Sequence, residues 1–213
     1  MKIAALADEQ MKKETEEKGI PSGVEWIWVD SVDALEQYAD AALYLDLDFK
    51  MDEARIGQLG RLCQPVVINS VAHTLREIGR PFVRINAWPG FLKRPCNELA
   101  VRHKEEEENI AKLFDKLGWP CRFVADIPGM ISARILAMII NEAYYTLQDK
   151  VSTRAEIDTA MKLGTNYPFG PFEWGAKIGL QAIDELLTIL SRTDSRYAVS
   201  GALKAEVERL KLS

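Results

Sequence analysis

The chain has 213 residues, 47% of them hydrophobic and 28% charged, with a formal net charge of −5. That length admits one sizeable domain or two small ones. The acidic balance, without any Lys/Arg cluster, argues against nucleic acid as a partner, and no apolar run reaches the ~18–20 residues that span a bilayer.

The opening MKIAALADEQ turns acidic too early for a signal peptide. Cys63, Cys96 and Cys121 are widely spaced and odd in number. They fit reduced thiols in a cytoplasmic protein better than a disulfide framework or a metal site.

Short strands are predicted at 2–7, 24–30, 41–48, 65–69 and 82–86, with helical segments at 31–39, 52–62 and 73–79 between them. This alternation describes a parallel sheet with right-handed crossovers, an α/β fold with compressed units. From Arg94 onward long helices take over. Residues 105–119 place Ile110, Leu113, Phe114 and Leu117 on one face, and their acidic start suits the positive end of a helix dipole. A strand is predicted at 121–126. Pro128-Gly129 is predicted to open a helix running to about residue 150. That helix is apolar on nearly every side, as expected in a core or a subunit interface. Thr153 and Glu156 form a capping box for a helix ending at Gly164. Residues 165–174 are predicted as a loop, followed by helices at about 180–192 and 196–211. The domain boundary falls between 125 and 126.

The first strand leads into Ala7-Asp8-Glu9-Gln10, with no glycine before Gly19. A pyrophosphate site needs glycine-rich chain there, so that backbone N–H groups can approach the phosphates. Two carboxylates stand in its place and oppose an anion. Asp30, at the second strand's end, suits either a ribose-binding acid or a helix cap.

DIPGMISARILAMIINEAYYTLQD followed by STRAEIDTAMKLGTNYPFGPFEWGAKIGL resembles the C-terminal domain of the 3-hydroxyacyl-CoA dehydrogenase family. The ordered landmarks are PG, R, NEA, EID-AM-LG, YP-GP-E and IGL. The resemblance implies a Rossmann-like domain over 1–125, here shortened, and an all-α domain over 126–213. It also implies NAD as cofactor, an acyl-CoA-type substrate and a homodimer through the helical domain.

Upstream, PVVINSVAHTLREIG is similar to the family's Asn-Thr-Ser segment, setting Asn69 on the Asn, Ser70 on the Thr and Val71 on the Ser. A shift of one residue would give Ser70 the serine's role. FVRINAWPGFLKRPCNELAV resembles the segment carrying the catalytic His and, twelve residues later, the catalytic Glu. Glu98 matches the Glu, and Asn86 stands where the His is expected. Asn cannot take up and release a proton near neutral pH, whereas imidazole can. The substrate-binding Asn of the long helix is replaced by Ala133. The implied catalytic set is therefore Glu98, Asn86 and Ser70, with Asn69 and Asp30 toward the cofactor and no metal. His73 and His103 are the chain's histidines, each a surface residue or a substitute base. Arg84, Lys93 and Arg94 are the cations nearest for a CoA phosphate. The chain ends as a plain helix rather than in the family's glycine- and aromatic-rich tail.

Two functions follow. One is NAD-dependent oxidation of 3-hydroxyacyl-CoA. The other is a non-catalytic dimeric descendant that binds an acyl-CoA, another metabolite or a partner protein.

Overall fold

Side chains alternate across the first strand: Ile3 and Ala5 enter one apolar cluster, Ala4 and Leu6 another. The strands Glu25–Val29, Leu43–Asp46 and Val66–Ile68 repeat this division, so this part of the sheet is covered on both faces, as parallel sheets require. The computed structural model describes residues 1–212 and divides into two units, Met1–Met130 and the helices from Ile131 on.

In the first unit the order is β1 (Lys2–Leu6), α1 (Glu9–Lys18), β2 (Glu25–Val29), α2 (Val32–Leu35), β3 (Leu43–Asp46) and α3 (Glu53–Leu59). Then come β4 (Val66–Ile68), α4 (Leu75–Ile78), β5 (Val83–Ile85), β6 (Asn97–Ala100), α5 (Glu107–Lys116) and β7 (Cys121–Phe123). The sheet has 7 strands in the order β2-β1-β3-β4-β5-β6-β7. β1 to β5 are parallel. β6 reverses against β5, and β7 runs parallel to β6. One cluster packs Leu43, Leu45, Val67, Val83 and Leu99 with Ile110, Phe114 and Leu117 of the α5 region. The other packs Tyr44, Val66 and Ile68 with Leu35, Leu59, Leu75 and Ile78 from α2, α3 and α4. Burying one ring such as Phe114 contributes about 2–3 kcal/mol.

The α/β reading holds, with local corrections. Helix α1 was not anticipated, because it buries only Met11, Glu14 and Thr15 and has little apolar periodicity. It forms because Asp8 caps its start, Glu9 and Lys18 complement its dipole, and Gly19 ends it. The reversal at β6 was also unforeseen; Pro89-Gly90 turns the chain back.

The second unit contains α6 (Ser132–Gln148), α7 (Arg154–Thr165), α8 (Pro171–Ile178), α9 (Leu180–Ser191) and α10 (Gly201–Lys211). α6 lies against α8, α9 and α10, and α7 against α8. Pro128-Gly129 does not open α6. Gly129 (φ 77°) and Met130 (φ 46°) are both left-handed, which delays the helix to Ser132. α7 ends one residue beyond Gly164, with Asn166 as its left-handed cap. Residues 165–174 are not all loop, since Pro171 takes the first position of α8. The final helix begins at Gly201 rather than 196, after a short 3-10 turn at Ser195–Tyr197.

The conspicuous polar residues of the helical unit hold it together. Asn141 donates to the Ala198 carbonyl at 2.8 Å and accepts the Ser200 N–H at 2.9 Å. Asp158 accepts the Phe172 N–H at 2.8 Å, and a Cβ on Gly170 would lie 2.3 Å from that carboxyl. Only glycine admits this approach. Glu173 closes the turn by accepting the Gly170 N–H at 2.8 Å. No described helix is long and apolar enough to cross a membrane.

Among the described residues of the first unit, two charged ones are fully buried, Asp46, which pairs with Arg55 at 2.6 Å, and Arg84. Arg84 on β5 is 0% exposed. Its Nε and Nη2 donate to the Ser70 and Val71 carbonyls, each at 2.8 Å, and Nη1 pairs with Asp126 at 2.5 Å. Asp126 also accepts the Leu75 N–H, at 2.9 and 3.1 Å to its two oxygens. Burial pulls the guanidinium pKa down and Asp126 opposes that pull. The substitution Arg84→Ala strips two carbonyls and a carboxylate of their partner at once. It is expected to cost about 3–5 kcal/mol of unfolding free energy, measured by urea denaturation; a loss below about 1 kcal/mol would refute the internal role.

Candidate functional site

Ligands of open parallel sheets sit beyond the carboxyl ends of the strands, where strand order reverses. Here that point lies between β1 and β3. Directly beyond β1, the Asp8 carboxylate accepts the Met11 N–H at 2.7 Å and caps α1. Those first-turn N–H groups are the ones that would meet a phosphate, and the position already holds a negative oxygen. Glu14, 3% exposed, accepts the Gly90 N–H with both oxygens, at 2.8 and 2.9 Å. Glu17 pairs with Lys93, and Lys18 Nζ donates to the Arg94 carbonyl at 2.8 Å. Helix α1 is thus fastened along the turn between β5 and β6. Asp30 is exposed; Ser31, not Asp30, caps α2. Asp30 acts instead on Lys12, whose pKa is raised chiefly by Glu9. These residues do not fit a dinucleotide pyrophosphate.

Asn69, just past β4, is fully engaged. Its Nδ2 donates to the Leu47 and Ala87 carbonyls at 3.2 and 3.1 Å, and its Oδ1 accepts the Ala87 N–H at 3.1 Å. It cross-links the ends of β3, β4 and β5. The Ser70 hydroxyl is buried and donates to the His73 carbonyl at 3.1 Å.

Asn86 and Glu98 do meet. The antiparallel register pairs Arg84 with Ala100 and Ile85 with Leu99, so the next pair is Asn86 and Glu98. The Asn86 N–H donates to the Glu98 carbonyl at 3.1 Å, and Nδ2 approaches Glu98 Oε2 at 3.4 Å. Their twelve-residue spacing is the length of this hairpin connection. His103 lies past the far end of β6, exposed and heading a 3-10 turn at Lys104–Glu106. The strand direction carries it away from Glu98. His73 stays in the loop beyond β4, near Asn69 in sequence.

The three cations differ in their partners. Arg84 is internal and Lys93 is paired with Glu17. Arg94 lays its guanidinium on the Phe91 ring, 3.8 Å from its centroid. Sequence reading missed Glu14 with the whole of α1. The signal available was the cap pattern: Asp8 before an acidic turn, and Lys18-Gly19 at the end.

The family model of the 3-hydroxyacyl-CoA dehydrogenase C-terminal domain matches residues 129–212. Over these residues the chain is similar to the C-terminal domain of 3-hydroxyacyl-CoA dehydrogenases. It is 56% identical over 83 residues to the 3-hydroxyadipyl-CoA dehydrogenase of Escherichia coli K12, covering 38% of this chain and 18% of that protein. It is 34% identical over 107 residues to a probable 3-hydroxybutyryl-CoA dehydrogenase of Bacillus subtilis, covering 49% of this chain and 37% of that one. The chain therefore aligns with well under half the length of these relatives. The (S)-3-hydroxybutyryl-CoA dehydrogenase of Ralstonia eutropha shares the fold, with a TM-score of 0.76 at 15% identity over 98% of this chain and 93% of that one.

In the matched region, the signature residues Asn141, Asp158, Gly170 and Glu173 serve the helical fold itself. Their presence reports architecture rather than chemistry. At the sheet's carboxyl edge, Asn69 also does structural work. Asn69→Ala leaves the Leu47 carbonyl and both Ala87 backbone groups without that partner, and is expected to cost about 2 kcal/mol in a thermal or urea melt. A change within about 0.5 kcal/mol, the scatter of neutral surface sites, would show that the cross-link is dispensable.

Proposed function

We propose that this protein binds an acyl-CoA-type ligand on a 3-hydroxyacyl-CoA dehydrogenase scaffold without NAD-dependent hydride transfer. The observation that carries this reading is the Asp8 carboxylate at the N-terminus of α1, bonded to the Met11 N–H at 2.7 Å. Hydride transfer to a dinucleotide needs the pyrophosphate seated at such a helix start. A fixed anion there repels it. The pair at positions 86 and 98 supports the same reading. Oxidation of a hydroxyl requires a group that accepts its proton, and the Asn86 amide does not. Asn86 can donate to a carbonyl oxygen, and Glu98 can accept from a hydroxyl, so together they suit recognition of a polar acyl group.

The second reading is an active NAD-dependent dehydrogenase. It is favoured by the 56% identity over 83 residues to the E. coli enzyme and by Glu98 facing position 86. Under either reading we take the protein to be a homodimer through its helical unit, on a face of α6 where Ile135 is 55% exposed, next to Ile131 at 53%. Large apolar side chains exposed together mark association surfaces.

Two measurements separate these readings. Acetoacetyl-CoA is expected to raise the melting temperature of the full chain, because a ligand of the folded state must stabilise it. The same mixture with NADH, at high protein concentration, is expected to show no loss of NADH absorbance; steady oxidation would establish the second reading. For the dimer, Ile135→Glu is expected to shift sedimentation from a dimer to a folded monomer, and an unchanged coefficient would rule this face out.

A further inference from the structure

Among the described residues, the Arg94 guanidinium has no hydrogen-bond or ion-pair partner. It is half-buried, it lies over the Phe91 ring 3.8 Å from the centroid, and Glu98 acts on it electrostatically. Burial pulls its pKa down and Glu98 opposes the pull. A guanidinium offers five N–H donors in a rigid fork, and withdrawing it from water without a hydrogen-bonding partner is costly.

The turn that carries it is held firmly in place. The Phe91 N–H donates to the Trp88 carbonyl at 2.7 Å, and the Arg94 N–H to the Phe91 carbonyl at 3.1 Å. The Trp88 and Phe91 rings meet edge to face at 6.0 Å. From α1, Glu14 accepts the Gly90 N–H, Glu17 pairs with Lys93, and Lys18 donates to the Arg94 carbonyl. The flanking cation is therefore neutralised while Arg94 is left with its fork unfilled. A guanidinium held over a ring keeps a planar fork of N–H donors suited to bidentate contact with two oxygens of a phosphate or carboxylate.

We propose that Arg94, stacked on Phe91, is the oxyanion-binding group for this protein's ligand, taking a phosphate or carboxylate of an acyl-CoA-type molecule. The proposal rests on the acyl-CoA reading above. Glu98 repels an anion at its own position, so the oxyanion sits on the side of Arg94 away from it. Asn86 and Glu98 are left to the neutral polar groups of the ligand.

Three probes titrated calorimetrically into the full chain test this. Butyryl-pantetheine carries no oxyanion, butyryl-CoA adds phosphates, and adipyl-pantetheine adds a carboxylate. One of the latter two is expected to bind about 10- to 100-fold more tightly than butyryl-pantetheine, which identifies the source of the oxyanion. Arg94→Gln, with melting measured as a fold control, is expected to abolish that gain, and Arg94→Lys to retain part of it. If Arg94→Gln binds every probe as tightly as the wild type, the subsite is wrong and the acyl-CoA reading stands. If the wild type binds none of the three, both fall.

Discussion

The carboxyl edge of the sheet depends on one buried cation. Arg84 reaches from β5 into the loop beyond β4, holding the Ser70 and Val71 carbonyls and the Asp126 carboxylate together. Asp126 in turn receives the first N–H of α4 from Leu75. A cation this deep is tolerable only with its donors matched and a carboxylate alongside. With the clamp closed, the loop after β4 has one path, and Asn69 can bridge β3 and β5. The Asn86–Glu98 pair then stands on a fixed platform one step along β5.

Side chains of the protein itself occupy this edge. Asp8 meets the first-turn N–H groups of α1, which a phosphate would need. Glu14 holds the turn between β5 and β6, and Asn69 joins strand ends. The family relationship lies in the helical unit, whose signature is a set of fold-stabilising contacts. It therefore carries architecture across. Arg94 is the contrasting case, a charged group at the same edge with no hydrogen-bond or ion-pair partner among the described residues.

Much of this was legible in the sequence, for definite physical reasons. Strand positions came through because β-branched and aliphatic residues alternate between two covered faces. The Thr153–Glu156 capping box came through because its spacing is set by the first helical turn. The family resemblance is what sets Asn86 with Glu98, and the hairpin explains their twelve-residue spacing. Helix α1 was invisible to hydrophobic periodicity because two of its three buried positions are Glu14 and Thr15. Arg84 reads locally as an exposed strand-end charge, since nothing in its neighbourhood announces Asp126, 42 residues away. The start of α6 was misplaced because Met130 takes a left-handed conformation that side chains other than glycine seldom adopt.

In the function proposed above, the Asp8 carboxylate takes the place of the dinucleotide phosphates at the start of α1. Equilibrium titration of the full chain with NADH, followed by fluorescence transfer from tryptophan to the nicotinamide, tests it directly. No saturable signal is expected up to millimolar NADH. Saturable binding in the micromolar range would contradict it.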